Sequence, residues 1–101
     1  MKKLITLVTL LIAGLSFSAY SYETNQEIVE RCKVKYGSAG PSVVKYCADN
    51  DIEAREKLSL YDSKYKAFIE RCKRKYGSAG ASVVKYCVDN DIEADNALKK
   101  Y

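Results

Sequence analysis

The feature that most constrains the fold of this chain is a tandem repeat that carries two cysteines in each copy. The segment VERCKVKYGSAGPSVVKYCADNDIEA, residues 29–54, aligns with IERCKRKYGSAGASVVKYCVDNDIEA, residues 69–94, at a constant offset of 40 residues. Four of the 26 aligned positions differ. A repeat of this length is typical of one supersecondary unit that is too small to bury its apolar face alone. The two copies are therefore expected to pack against each other.

Apolar residues on both sides of the central turn follow the spacing of an α-helix. In the second copy the stripe before the turn consists of Tyr65, Phe68, Ile69, Cys72 and Tyr76, and the stripe after it consists of Val84, Cys87, Val88 and Ile92. The first copy repeats most of both stripes. Each copy is therefore predicted to form a helix, a short turn and a second helix, with every cysteine on an apolar stripe.

The turn itself is the sequence GSAG, present in both copies. Gly37 and Gly77 are predicted to end the first helix of each copy in a left-handed cap, and Pro41 suits the first turn of the following helix. Backbone amides before a helix could also hold an anion. The same glycines are what a tight helical hairpin needs, so a hinge is the favoured interpretation.

The cysteine positions predict one disulfide within each copy. In an antiparallel hairpin, Cys32 and Cys47 both lie about 8 Å from the turn, so they are level across the seam. This favours Cys32 with Cys47 and Cys72 with Cys87, each closing a 15-residue loop worth about 3 kcal/mol. The alternative joins equivalent cysteines, Cys32 to Cys72 and Cys47 to Cys87. Small exported chains commonly need such staples because their hydrophobic cores are marginal.

The segment between the copies, EAREKLSLYDSKYKAF, contains neither Gly nor Pro. Helix propensity alone would allow one long helix from Ser42 through Tyr76. A break near Ser59 to Ser63 is preferred, with Asp62 or Ser63 capping the second hairpin. The predicted fold class is all-α, with two tandem disulfide-stapled helical hairpins packed as a small four-helix arrangement.

The first residues have the pattern of a signal peptide. Lys2 and Lys3 precede an apolar run from Leu4 to Leu15, which is too short to span a bilayer. Cleavage is predicted after Ser21, which divides the chain into a signal peptide at 1–21, a first hairpin at 22–60 and a second hairpin at 61–101. No cysteine follows the run directly, so a lipoprotein anchor is not expected. The mature chain is predicted to be soluble, periplasmic or secreted, without a transmembrane segment.

The charge balance argues against nucleic acid as a partner. The whole chain has a formal charge of +4, and loss of Lys2 and Lys3 leaves 15 basic against 13 acidic residues, a charge of +2. A protein that neutralises several phosphates would be expected to carry a denser basic surface.

Catalysis and cofactor binding find little support in the residue types. The chain has no histidine and no CxxC motif, so no cofactor, metal or catalytic residue is predicted. Alternating acids in ADNDIEA resemble half of a calcium loop but lack its glycine and final glutamate. They are interpreted as helix surface, except that Asp51 and Asp91 fall on the cysteine stripe and are expected to pair with Arg31 or Arg71.

Two groups of residues are the candidates for binding a partner. The first is Tyr46 and Tyr86, for which packing between the hairpins is the favoured interpretation and an exposed partner surface is the alternative. The second is the basic stretch formed by Arg71, Lys73, Arg74 and Lys75. Its position at a helix end offsets the helix dipole, and contact with an acidic partner or anionic lipid is the alternative.

The spacing of the repeat resembles a group of small secreted bacterial proteins. The resemblance rests on Cys32, the turn residues Tyr36 and Gly37, and the pair Tyr46 and Cys47, together with the copy from Cys72 to Cys87. This C-x14-C unit departs from the group in having Tyr where Trp is expected at the turn, and in being duplicated. The resemblance implies export and a helical hairpin, and it implies no functional residue.

These features together predict a small exported protein that acts as a binding module for an unknown protein partner and is not an enzyme. The alternative is a membrane-active or toxin-like cationic peptide that makes peripheral contact with anionic bilayers.

Overall fold

The computed structural model describes residues 23–101, and the predicted signal peptide lies outside them. The described residues form four helices, which are α1 (Asn25–Tyr36), α2 (Pro41–Leu58), α3 (Lys66–Tyr76) and α4 (Ala81–Leu98). Short 3-10 turns lie at Gly37–Ala39, Ser63–Tyr65 and Gly77–Ala79. Residues 23–101 contain no strand. The all-α prediction is confirmed for this part of the chain.

Helices α1 and α2 form hairpin 1, and helices α3 and α4 form hairpin 2. Each hairpin is closed by its own disulfide, Cys32–Cys47 in hairpin 1 and Cys72–Cys87 in hairpin 2, with the Cα atoms 5.9 Å apart in both. The pairing predicted from the level positions of the cysteines is confirmed, and the alternative pairing between equivalent cysteines is wrong.

A capping box starts α1. The Thr24 hydroxyl accepts a hydrogen bond from the Glu27 amide at 3.1 Å, and the Thr24 amide donates to the Glu27 carboxylate at 2.8 Å. Two amides that the helix leaves without partners are thereby satisfied. The first residues described are thus tied to the body of hairpin 1.

In each GSAG turn, the unusual backbone conformation is adopted by a different glycine from the one predicted. Gly37 and Gly77 have φ of −56°, so they continue the right-handed path into a 3-10 turn, and the predicted left-handed caps are wrong. The chain reverses three residues later, at Gly40 and Gly80, where φ is 105° and 111°. This backbone region is essentially restricted to glycine. Pro41 occupies the first turn of α2, as predicted.

The predicted break between the two copies is confirmed. Helix α2 ends at Leu58 and α3 begins at Lys66. Asp62 caps the intervening 3-10 turn by accepting a hydrogen bond from the Lys64 amide at 3.0 Å. The segment therefore folds as two helices, although its composition would allow one.

Two small apolar clusters form the core. The cluster of hairpin 1 is built on Ile28, Cys32 and Ala48, and the cluster of hairpin 2 is built on Cys72, Val84 and Val88. Leu58 belongs to α2 by sequence, yet its side chain lies in the cluster of hairpin 2. The hairpins pack through α2 and α4, and Leu58 is a buried apolar side chain of the contact between them.

Candidate functional site

The two tyrosines singled out as partner candidates lie on the surface. Tyr46 on α2 and Tyr86 on α4 are 70% and 71% exposed. The favoured interpretation, that they pack one hairpin against the other, is therefore wrong, and Leu58 and Tyr61 pack against the cluster of hairpin 2 instead. The alternative, a pair of exposed tyrosines, agrees with the structure.

The basic stretch does not form one surface. Arg71 and Lys75 lie with Tyr86 in a cleft beside the Cys72–Cys87 disulfide, whereas Lys73 lines a small cavity between the hairpins. Arg74 is exposed on α3. The structure thus unites part of the predicted set and separates the rest, because consecutive residues of a helix point in different directions.

We call the surface around Tyr86 the tyrosine cleft. It is lined by Arg71, Lys75, Tyr76, Val83, Tyr86 and Asp91. The ammonium group of Lys75 lies 5.5 Å from the centre of the Tyr76 ring, a distance suited to a cation–π interaction. The Arg71 guanidinium donates to the Asp91 carboxylate at 2.8 Å, and it also lies 5.2 Å from the centre of the Phe68 ring. The cleft therefore offers aromatic rings bordered by positive charge.

Hairpin 1 carries the same residue types at the corresponding positions. Tyr36 and Tyr46 are exposed, Val43 is half-buried, and the Lys35 ammonium lies 5.4 Å from the Tyr36 ring centre. The exposed aromatic surface is thus present twice, once beside each disulfide.

A buried carboxylate stands at the junction of the two hairpins. Asp51 on α2 is 3% exposed, accepts a hydrogen bond from Arg31 at 3.0 Å, and accepts another from the Ser82 amide at 3.0 Å. Ser82 lies in the first turn of α4, where unpaired amides and the helix dipole favour negative charge. The helix start that follows the second GSAG turn therefore binds an anion, and that anion is a side chain of the same molecule.

Arg31 joins this carboxylate to the start of the described chain. Its guanidinium also pairs with Glu23, with the Arg31 Nε atom 3.0 Å from a Glu23 carboxylate oxygen. The hydrogen bond to Glu23 outweighs the opposing effect of burial and holds the pKa of Arg31 above its ordinary value. Arg55 donates to the Glu23 carbonyl oxygen at 2.9 Å. The expected pairs of Asp51 with Arg31 and of Asp91 with Arg71 are both confirmed.

A side chain at Gly80 would require Asp51 and Arg31 to move. A Cβ atom built on Gly80 would lie 2.6 Å from one Asp51 carboxylate oxygen and 2.9 Å from the Arg31 Nη1 atom. Gly40, the corresponding glycine of hairpin 1, has nothing within 4 Å of such an atom. The two turns are alike in backbone and differ in what contacts them.

A second polar contact between the two hairpins is made by a tyrosine. The Tyr61 hydroxyl donates to the Asp89 carboxylate, and Lys85 lies 2.8 Å from the same carboxylate. Burial and this carboxylate raise the pKa of Tyr61, and the carboxylate also raises the pKa of Lys85. Sequence reasoning missed Tyr61, Ser82 and Gly80. The available signal for Tyr61 was that, although the identity between the copies breaks down after residue 94, Leu58 still matches Leu98 and Tyr61 still matches Tyr101.

All four cysteines of the described residues are held in disulfides. Asp51 and Asp91 each lie beside a cysteine pair, and an Asp91 oxygen is 3.7 Å from the Cys72 sulfur. Both sulfurs of each pair are bonded to each other, so they carry neither a proton to donate nor a thiolate to bind a metal.

Comparison with known proteins found no protein-family model, no curated protein and no solved structure that matches this chain. Within residues 23–101, no helix has both the length and the apolar character required to cross a membrane. The two disulfides are compatible with an extracellular or periplasmic location.

Proposed function

We propose that this protein is an exported binding module that recognises a protein partner through its two exposed tyrosine surfaces. The observation that carries the proposal is the matched exposure of Tyr46 and Tyr86, at 70% and 71%. Large aromatic side chains that the fold leaves in solvent at equivalent places in two repeats are better explained by binding than by folding.

The chemistry of the tyrosine cleft indicates what the partner offers. Tyr76 and Tyr86 provide apolar rings with polar hydroxyl groups, a combination enriched at protein interfaces. Lys75 and Arg71 border the rings, which favours a partner segment with acidic residues beside an apolar one. The adjacent disulfide limits movement of α3 against α4, so less conformational entropy is lost on binding.

The presence of two tyrosine surfaces in one molecule should also strengthen binding. The two equivalent surfaces are held in one molecule. If the partner also presents two copies of its site, the avidity of the complex is well above the affinity of either surface alone. A repeated or oligomeric protein is therefore the favoured class of partner.

Export is the other half of the proposal. It is supported by the pattern of residues 1–21, which lie outside the described residues, and by disulfides of the kind that persist in oxidising compartments. The resemblance of the C-x14-C unit to small secreted bacterial proteins stays a prediction.

The decisive experiment compares capture by the oxidised chain 22–101 with capture by its Tyr46→Ser, Tyr86→Ser double variant. The proteins are immobilised and exposed to periplasmic and secreted extracts of the source cells. We expect one specific partner to be retained by the parent and lost with the double variant, while circular dichroism and the melting temperature stay unchanged. Single variants should lose part of the retention, because one surface remains.

Two outcomes would contradict this function. One is a partner that the double variant retains as well as the parent does. The other is binding to anionic vesicles that survives moderate salt and releases an entrapped dye, which would support the membrane-active alternative. We expect no such binding, because several surface lysines are paired with acids four residues away, as Lys45 is with Asp49 and Lys57 with Glu53.

A further inference from the structure

The contact between the hairpins is made by two different faces. Hairpin 1 contributes what we call the tail face, formed by Arg31, Asp51, Leu58 and Tyr61. Hairpin 2 contributes what we call the head face, formed by Gly80, Ser82, Val84, Val88 and Asp89. Asp51 accepts from the Ser82 amide, Leu58 packs in the cluster of Val84 and Val88, and Tyr61 donates to Asp89. Each hairpin therefore uses a face that the other does not use.

Both faces recur on the outer sides of the molecule. The residues of hairpin 2 at the tail positions are Arg71, Asp91, Leu98 and Tyr101, all identical to those of hairpin 1. The residues of hairpin 1 at the head positions are Gly40, Ser42, Val44, Ala48 and Asp49, which differ from those of hairpin 2 only in Ala48 for Val88. Within residues 23–101, one tail face and one head face are thus left without a partner hairpin.

The outer tail face is exposed where its counterpart is buried. Leu98 is 64% exposed, whereas Leu58 is 2% exposed. The Asp91 side chain is 35% exposed, compared with 4% for the Asp51 side chain. Tyr101 is fully exposed, while Tyr61 is half-buried against Asp89. Residues that complete an interface in hairpin 1 stand in solvent in hairpin 2.

The outer head face is an open groove of the matching shape. It has a volume of about 490 Å³ and is lined by Val29, Lys33, Gly37, Pro41, Val44 and Ala48, among others. On hairpin 2 the corresponding residues Lys73, Gly77, Ala81 and Val84 face Leu58, and the space left is about 100 Å³. The groove on hairpin 1 is therefore the site that Leu58 fills on hairpin 2.

We propose that a second copy of this chain occupies the groove, so that the tail face of one molecule docks on the head face of the next. Asp91 then accepts a hydrogen bond from the Ser42 amide of the next copy. Leu98 packs on its Val44 and Ala48, and the Tyr101 hydroxyl donates to its Asp49. These contacts repeat those seen inside the molecule, with Ala48 in the place of Val88.

The geometry of such a contact determines the kind of assembly. Because head and tail faces differ, the interface is heterologous, and successive copies form either a closed ring or an open chain. A stack of hairpins in which each contacts its neighbours is the usual arrangement of repeat proteins. A contact that uses the same face of both copies would not reproduce these interactions.

The residues that precede hairpin 1 are poorer occupants of the groove. At the same offset of 40 residues, the positions corresponding to Leu58 and Tyr61 are Ser18 and Ser21. Neither serine provides the apolar side chain or the ring that fills the space on hairpin 2. The tail face of another copy provides both.

The contact between copies is expected to be weaker than the contact between hairpins. In hairpin 1, Arg31 is held by Glu23, and the Glu23 carbonyl accepts a hydrogen bond from Arg55. The corresponding residues of hairpin 2 are Ser63 and Asp95, which cannot make these contacts. The linker also holds the hairpins of one molecule at a high effective concentration, which separate copies lack. Association should therefore depend on protein concentration.

The test is sedimentation of the oxidised chain 22–101 from about 10 µM to about 1 mM, a range that reaches the effective concentration supplied by a short linker. The tail variant is Leu98→Glu, at an exposed residue. The head variant is Gly37→Glu, because Gly37 lies in the groove with φ of −56° and has open space around its Cβ position. Val34→Glu is the control, since Val34 is exposed and lies outside both faces.

We expect the parent and the control to form species that grow beyond dimers with concentration. The tail and head variants should each lose association by more than about tenfold, because one partner of an apolar contact becomes charged. An equimolar mixture of the two variants should form dimers and stop there, since each retains one good face. That restoration is the signature of a head-to-tail contact.

Three results would overturn the inference. The parent could stay monomeric up to about 1 mM, either variant could associate as the parent does, or the mixture could stay monomeric. The outcome is independent of the proposed function, because Tyr46 remains exposed in hairpin 1 although the tail face of that hairpin is docked. The Tyr46→Ser, Tyr86→Ser variant should therefore still associate.

Discussion

At the scale of single residues, identical side chains in the two copies have different surroundings. Asp51 and Asp91 both pair with an arginine 20 residues earlier, yet only Asp51 is buried and reaches the first turn of another helix. Gly40 and Gly80 share one backbone conformation, yet only Gly80 touches a carboxylate. The repeat therefore provides a matched control for each residue of the junction.

Comparison of Gly80→Ala with Gly40→Ala should separate two losses of folding free energy. One comes from a side chain at positive φ, and the other comes from displacing Asp51 and Arg31. Both variants place a side chain at positive φ, which costs about 1–3 kcal/mol. Only Gly80→Ala also forces Asp51 and Arg31 away, because its Cβ atom would lie within 3 Å of both. We expect Gly80→Ala to lower the free energy of unfolding by at least about 1 kcal/mol more than Gly40→Ala does.

Urea denaturation followed by circular dichroism measures both variants. Equal losses of stability would mean that the Asp51 carboxylate moves aside freely, and the close fit at Gly80 would then have no energetic weight.

At the scale of helices and hairpins, most of the structure could be predicted from the sequence. The periodicity of apolar residues placed the helices, and the level positions of Cys32 and Cys47 identified the disulfides, because both are local properties of a hairpin. The error over Gly37 has a local cause as well. A helix that ends in a 3-10 turn delays the reversal to Gly40, and glycine is present at both positions.

Removal of one disulfide should affect the two hairpins unequally. Each staple closes a 15-residue loop, so Cys32→Ala with Cys47→Ala, or Cys72→Ala with Cys87→Ala, should cost on the order of 3 kcal/mol. Hairpin 2 is also covered by Leu58 and Tyr61 from outside its own helices, whereas the groove of hairpin 1 is open. We therefore expect hairpin 1 to unfold locally without its staple, and hairpin 2 to retain more structure without its own.

Amide hydrogen exchange resolves this difference by segment. Uniform loss of protection across 23–101 in both variants would contradict the expectation, since it would show that the hairpins unfold as one cooperative unit.

At the scale of the whole molecule, the junction between hairpins was beyond sequence reasoning. Leu58 and Leu98 are the same residue at the same position of the repeat, and the first is buried while the second is exposed. Residue type and spacing cannot distinguish them. What distinguishes them is that Leu58 packs against Val84 and Val88 of hairpin 2, a tertiary contact that local periodicity does not encode.

The junction should weaken at alkaline pH. The folded structure raises the pKa of Tyr61 above its unfolded value near 10, so the folded state holds that proton more tightly. The stabilisation is therefore fully present below about pH 10 and is lost as the pH rises through the folded pKa. Lys85, whose pKa is also raised by Asp89, contributes in the same direction.

Unfolding free energies between about pH 9 and about pH 11 should fall less steeply for Tyr61→Phe than for the parent. Tyr46→Phe, at an exposed tyrosine, is the control and should follow the parent. Parallel curves for all three proteins would show that the hydrogen bond from Tyr61 to Asp89 does not hold the hairpins together.

Neither disulfide crosses from one hairpin to the other, and this decides how the molecule responds to proteases. A cut within either GSAG turn leaves the two pieces covalently joined, because the staple spans the cut. A cut between Ser59 and Ser63, beside the exposed Leu60, instead releases two stapled fragments held only by non-covalent contacts. The resistance of the whole molecule to proteolysis therefore depends on this short linker, while the disulfides protect each hairpin separately.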